Sequence, residues 1–364
     1  MNTINYLNEN CSNAGPETFR KIRSELYNIG ITWTDDCHGR FESVCKLRVI
    51  LSTKQQGTID FSNPLVNECN GLIACYDEGK WCPLVVPLGT ICRSSISMKS
   101  VSDALNNGKY DVYEMLDATI MHIYNYDNNW CISTGKSYDL TNKPFNKVNG
   151  NTMTYLEIIN DLIIRKYNSF SFNKLNKDVC YTVAIRHSSR HLFDESKHLR
   201  QGCLGQSDTC DKPYEYNSSI DDMNSYIMLL HSYNTKSMSK DTRHVGGIPK
   251  QQPFRSESNK LNLSKMRSYT QSAYSKYEKA WQLDQFKYKP LYGYILRPKN
   301  ASNNLPSIMI KSELYNVINR GLYKKNVVNE DYKNIVKLMV EDVFYLPRYK
   351  VVFQTPFGYL FNQL

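Results

Sequence analysis

Three groupings of side chains could do chemistry in this chain of 364 residues. The first gathers imidazoles, guanidinium groups and thiols: Arg186, His187, Arg190, His191, Lys197, His198, Arg200, Cys203 and Cys210. His187 and His191 lie four apart, and two such ligands with two cysteines could hold zinc. Six residues separate Cys203 from Cys210, more than zinc sites usually have, and the histidines adjoin a predicted strand, so no metal site is expected. Arg186 and Arg190 suit phosphate better, because guanidinium forks grip it bidentately. Ordinary solvated polarity also accounts for them. The second grouping is a basic segment, Asn234 to Lys299, with 14 Lys and Arg against four Asp and Glu, a surplus as large as the whole chain's +10. Phe254, Tyr269, Tyr274, Tyr277, Trp281, Phe286 and Tyr288 are interleaved with those charges. Cations with aromatics suit a phosphate backbone and its bases. The expected contacts are Lys250, Arg255, Lys260, Lys265, Arg267, Lys276, Lys279 and Arg297. A solvated helix with a snorkelling face is the competing reading. The third grouping is Tyr110, Tyr113, Tyr124 and Tyr126, rings packed on strands or, in part, a stacking platform. No Gly-x-Ser-x-Gly elbow and no Walker loop occurs, and Gly246-Gly247 is too short to cradle a phosphate.

The elements that must position these groups mix strands and helices without a βαβ rhythm, so the fold class is α+β. Helical spacing marks Thr18–Ile29, Thr154–Tyr167 and the long basic Asn262–Leu283. Strands are predicted at Leu47–Thr53, Asn67–Tyr76, Trp81–Pro87, Val179–Arg186, Ser225–Ser232, Tyr292–Leu296 and Ser307–Lys311. Tyr110–Tyr126 and Trp130–Thr134 read as a hairpin about Asp127-Asn128-Asn129. Ser312–Tyr323 and Tyr332–Leu338 read as helices. The expected organisation is an extension over 1–60, a main domain over 61–325 carrying the basic segment 234–299, and a C-terminal helix with an aromatic tail over 326–364.

Hydrophobic residues at 41% and charged residues at 22% fit a globular chain. No apolar run reaches the ~18 residues of a membrane span, and the polar start lacks a signal-peptide pattern, so no membrane partner is expected. Eleven cysteines, an odd number scattered from Cys11 to Cys210, read as reduced thiols of an intracellular protein. The abundance of Asn, Lys and Tyr fits an AT-rich genome, as viruses and some protists have.

Four ordered segments resemble the phage-type RNA ligase 1 branch of the covalent nucleotidyltransferases, which include DNA ligases and mRNA capping enzymes. Glu68-Cys69-Asn70-Gly71-Leu72-Ile73 is similar to the Glu-x-Arg-Gly-Ile stretch before motif I. Tyr113-Glu114-Met115-Leu116-Asp117-Ala118-Thr119 is similar to motif I, Lys-x-Asp-Gly-Ser/Thr. Tyr292-Gly293-Tyr294-Ile295 resembles motif IV, and Met309-Ile310-Lys311-Ser312-Glu313-Leu314-Tyr315 resembles motif V. The resemblance implies a nucleotidyltransferase fold of mixed antiparallel sheets with flanking helices, like the adenylation domain of ligases and capping enzymes.

It also implies which groups have changed. Met115 stands at the nucleophilic lysine, Ala118 at the motif I glycine, Tyr292 at the metal-binding glutamate and Met309 at one of two phosphate-binding lysines. Asp117, Gly293 and Lys311 match the pattern. Asn70 stands where an arginine is expected, and Tyr181 to Arg186 lacks the motif III glutamate. The expectation is a ligase-like protein that binds RNA or DNA without ligating it, with no cofactor. The alternatives are an active ligase that takes ATP and Mg²⁺ through a displaced Lys136 or Lys109, and an assembly component of a virus-like particle. The C-terminal aromatics, Tyr345 to Phe361, offer a possible protein contact.

Overall fold

Apolar alternation and tight polar turns build most of the structure, a computed structural model that describes residues 1–11, 16–35, 43–49, 59–91, 98–116, 118–148, 151–167, 169–187, 225–241, 245, 247–254, 263–282, 291–299 and 305–312. Helices α1 (Asn2–Cys11) and α2 (Pro16–Asn28) precede β1 (Ile31–Asp35) and β2 (Val44–Val49). After α3 (Pro64–Glu68), strands β3 (Asn70–Asp77) and β4 (Lys80–Val85) complete an antiparallel sheet in the order β1-β2-β3-β4, which runs across residue 60. The strand predicted from Asn67 begins three residues later. Asn63 caps α3 by accepting from the Leu65 N–H, and Pro64 takes the first helical position, so helix wins there. One face of the sheet, with Leu47, Leu72, Ala74 and Trp81, buries Ile4, Leu7, Ile22 and Leu26 of α1 and α2.

A second sheet has the order β12-β11-β10-β6-β7. Its strands are β6 (Thr119–Tyr126), β7 (Asn129–Ser133), β10 (Val179–Arg186), β11 (Tyr226–Asn234) and β12 (Ser239–Lys240), while β8 (Pro144–Val148) and β9 (Asn151–Thr154) pair separately. Met121, Ile123, Val183, Ile185 and Leu229 bury one face against Ile158, Ile159 and Leu162 of α5 (Tyr155–Lys166). A capping box, Thr154 with Glu157, starts that helix. The opposite face, with Tyr124, Cys131 and Cys180, packs on Val44, Ile73 and Val85 of the first sheet.

The third sheet, β14-β13-β5, joins β5 (Tyr110–Glu114), β13 (Gly293–Pro298) and β14 (Ile308–Lys311). Tyr110, Val112, Tyr294, Leu296 and Ile308 bury its back against Val101 of α4 (Met98–Asn106) and Leu263 and Met266 of α6 (Leu263–Gln282). The single strand predicted over Tyr110–Tyr126 is therefore two strands in different sheets. Its buried residues change phase, from Tyr110 and Val112 to Met121 and Ile123, and one unbroken strand cannot bury both sets on one face.

The predicted hairpin forms with a two-residue turn, and so does a second between β3 and β4. Asp127 and Asn128 have φ of 50° and 58°, and Glu78 and Gly79 have 47° and 82°, the left-handed pair that matches strand twist. Antiparallel sheets with helices on their outer faces make the fold α+β. The helices predicted at 312–323 and 332–338 and the aromatic tail lie outside the described residues.

Candidate functional site

Strand pairing brings together the three segments that resemble motifs I, IV and V. The Met115 N–H donates to the Gly293 carbonyl at 2.8 Å, Gly293 pairs with Lys311, and Met309 pairs with Ile295. Alternation puts Tyr113, Met115, Gly293, Ile295, Arg297, Met309 and Lys311 on the sheet face away from α6. Gly293 fits here as few residues could: its φ is 143°, and a Cβ would come 2.2 Å from the Ile310 carbonyl oxygen. Tyr292 is 4% exposed, and its carbonyl accepts from the Ser312 N–H at 2.9 Å. Met115 is buried, Ala118 half-buried and Lys311 exposed. Asp117 lies outside the described residues.

Segment 248–254 ties this sheet to the second. Leu229 exchanges backbone hydrogen bonds with Pro249 and Gln251, and the Phe254 N–H donates to the Val112 carbonyl at 2.6 Å. The Gln251 amide donates to the Glu114 carbonyl at 2.8 Å and accepts from Arg297 at 3.4 Å. The Arg297 guanidinium lies 4.6 Å from the centre of the Tyr113 ring, and burial lowers its pKa to about 10, against the favourable Tyr113. Arg297, one of the expected nucleic-acid contacts, is thus half-buried and stacked on Tyr113. His231 feels burial first, then Lys240, Arg297 and Lys250, and its pKa falls to about 4.

The rest of the predicted basic set divides. Leu263, Met266, Thr270 and Ala273 form the buried stripe of α6, which leaves Arg267 and Lys276 exposed on the side opposite the Met115–Lys311 face. The Lys276 ammonium lies 5.5 Å from the centre of the Tyr269 ring, an exposed aromatic. Lys265 and Lys250 are half-buried. Arg255, Lys260 and Arg190 lie outside the described residues, as does the side chain of Lys279. Arg186 and His187 are buried, and His187 meets Phe145 edge to face. His191, His198, Cys203 and Cys210 also lie outside them. Of the displaced-lysine candidates, Lys109 is exposed just before β5 and Lys136 is exposed in the turn after β7.

One buried lysine escaped the sequence reading. Lys46 is 1% exposed, yet its ammonium donates to the Thr134 carbonyl at 2.7 Å and to the Ser137 carbonyl, with the Tyr138 ring centre 5.5 Å away. Burial, then the Arg48 charge, lowers its pKa from 10.5 to about 7. His122 accepts or donates at 3.0 Å to Thr182, which also pairs with His231. Burial, then Lys46 and His231, takes the His122 pKa down to about 3. The signal was the apolar run Val44-Cys45-Lys46-Leu47: a lysine in a strand covered on both faces must be buried.

Beside the turn that Lys46 holds lies a cavity of about 440 Å³, lined by Arg48, Val49, Asn70, Thr119, Ile120, Thr134, Gly135, Lys136, Ser137, Leu140 and Tyr155. Arg48 is the cross-strand partner of Asn70, so a cation reaches this wall from β2 where the family pattern would place one on β3.

No family model matches the chain. Among solved structures, an archaeal ATP-dependent RNA ligase is similar over 94% of this chain and 80% of that one, with a TM-score of 0.41 and 9% identity. A mutant RNA ligase of Naegleria gruberi with ATP and Mn is similar over 64% and 56%, with a TM-score of 0.33 and 10% identity. An alignment 158 positions long, covering 38% of the chain, is 27% identical to a protein of African swine fever virus (isolate Tick/Malawi/Lil 20-1/1983) named "Putative RNA-ligase". It is 28% identical to the protein of that name from isolate Pig/Kenya/KEN-50/1950. By sequence, then, the chain is similar to viral proteins bearing an RNA-ligase name, and the similarity spans 33% of those relatives' own length.

Proposed function

We propose that this chain is an RNA-ligase-like protein that binds RNA or DNA through basic surfaces and forms no covalent nucleotide adduct. The observation that carries the reading is the row Met115–Gly293–Lys311, joined by the 2.8 Å bond from Met115 to Gly293 and the pairing of Gly293 with Lys311. The resemblance puts the attacking amine at Met115, and a thioether cannot hold a nucleotide as a phosphoramidate. Among the described residues the same face carries one carboxylate, Asp111, 3.9 Å from Lys299, with Arg297 and Lys311 as further cations and Met309 where the resemblance implies a lysine. One carboxylate among the described residues, already engaged by a lysine, offers little to a Mg²⁺ ion on a triphosphate, and this supports the reading. A polynucleotide asks only for a field of positive charge with rings to stack on, and exposed Arg267, Lys276 and Tyr269 on α6 supply one. The likeness to viral proteins with an RNA-ligase name supports the nucleic-acid part of the reading.

Fluorescence anisotropy with labelled RNA and DNA oligonucleotides tests it. Binding is expected at low salt, falling by at least about tenfold between roughly 50 and 200 mM. Arg267→Glu with Lys276→Glu is expected to weaken it further. Absence of affinity for both polymers at low salt would overturn the reading.

A further inference from the structure

We infer that Cys75 and Cys82 form an oxidisable dithiol, which hydrogen peroxide closes into a disulfide that fastens edge strand β4 to β3.

Of the seven cysteines among the described residues, five are buried, and the two that are half-buried are Cys75 and Cys82. Those two are direct partners across the hairpin of β3 and β4, so their side chains leave the sheet on the same face. The Tyr76 N–H turns to the Ser43 carbonyl, away from β4, which makes Cys75 and Cys82 the adjoining hydrogen-bonded pair. Such a pair holds its Cα atoms about 5.5 Å apart, inside the span of a disulfide. The Cys75 thiol already points across, donating to the Cys82 carbonyl at 3.6 Å. Next along the ladder the register shifts between Ile73 and Ala74, and Pro83 has no N–H to give. The strand is therefore free to adjust there as the sulfurs approach.

Access and chemistry divide between the two thiols. Cys82 lies on an outer strand of the first sheet, while Cys75 packs on the core of Val44, Ile73 and Val85. Burial, then the neighbouring Cys82, raises the Cys75 pKa to about 12, and burial raises that of Cys82 against the pull of Lys80. Both thiols rest protonated and reduced near neutral pH, and Cys82 is the one that a peroxide reaches first. The Cys82 sulfur, losing its proton, takes one oxygen from hydrogen peroxide and becomes a sulfenic acid, with water released. The Cys75 sulfur then displaces the hydroxyl of that sulfenic acid as a second water. The two thiols lose two hydrogens and two electrons, and one peroxide becomes two waters.

The test treats the full reduced chain with hydrogen peroxide, alkylates the remaining thiols in urea, and maps tryptic peptides by mass spectrometry. Trypsin cuts after Lys80, between the two cysteines, so the bond joins two peptides. The expected product is a Cys75–Cys82 link, two hydrogens lighter than the separate thiols and removed by dithiothreitol, with a raised urea midpoint. Cys75→Ser should replace the link by a dimedone-reactive sulfenic acid at Cys82, and Cys82→Ser should leave Cys75 a thiol at the same dose. Circular dichroism checks that each form is folded, and the wild-type peptide map decides the pairing where a variant is not. A link from either cysteine to a third, or Cys82 oxidised while Cys75 stays a thiol, overturns the inference. So does a urea midpoint that falls on oxidation, because the native pairing would then not accept the bond.

Discussion

Lys46 shows how a single side chain can shape both a site and its pH response. An ammonium sealed between two sheets costs desolvation, offset by two carbonyl acceptors, and its proton is held less tightly than in the unfolded chain. Below pH 7 both states carry the proton and the full cost of burial is present. Between about 7 and 10.5 the unfolded chain binds more protons than the folded one, so stability rises with pH. His122 and His231 act lower on the scale. Their depressed pKa values, about 3 and about 4, mean that the unfolded chain takes up protons first below 6.5, so stability falls as pH drops. Urea melts at pH 7, 8 and 9 should show wild type gaining stability relative to Lys46→Met, which lacks the Lys46 titration while sharing that of the buried thiols. Parallel slopes in the two proteins would refute this. At Gly293 the expected effect is steric: Gly293→Ala should lose roughly 3 kcal/mol in the same melts, and a loss under roughly 1 kcal/mol would contradict the close approach of β14. The Gly293 position was legible from motif order alone. The burial of Lys46 was marked only indirectly, by its apolar neighbours in Val44–Leu47, because it depends on which strands cover β2.

At the scale of elements, local chemistry was the most readable part. The hairpin from β6 to β7 turns on Asp127 and Asn128, residues that tolerate positive φ, and α5 starts on Thr154 with Glu157 three residues later. Asn128→Gly should be tolerated within about 0.5 kcal/mol, whereas Asn128→Val should cost about 1–2 kcal/mol, because a branched side chain resists the left-handed region. Thr154→Ala should cost about 1 kcal/mol. A thermal melt in which Val and Gly at 128 behave alike would contradict the turn geometry. Several elements went unread, among them α1, β1, α4, β8, β9 and β12. In α1 only Thr3, Ile4, Leu7 and Cys11 are buried among asparagines and other polar residues, so its apolar stripe is too thin to stand out. The break between β5 and β6 was hidden for a different reason. Period-two alternation looks the same on either side of a switch between sheets, and only the partners, β13 and β10, reveal the change of phase.

Across the whole molecule the +10 surplus was legible as a basic segment, but its placement was not. Helical periodicity turns Arg267 and Lys276 outward on α6, while Arg297 and Lys250, close to them in sequence, belong to the inner side where the third sheet meets the second. Arg48 and Lys136, beside the turn after β7, are cations that the basic segment does not contain. Polynucleotide binding should therefore depend on salt through several dispersed cations, with no single substitution abolishing it. The central claim, that the scaffold does not take a nucleotide covalently, rests on Met115 in the row with Gly293 and Lys311. Its most direct test is incubation of the protein with α-labelled ATP or GTP and Mg²⁺ or Mn²⁺, followed by denaturing electrophoresis. The account predicts no labelled protein band. A band that survives denaturation, and disappears in Lys136→Ala or Lys109→Ala, would contradict it.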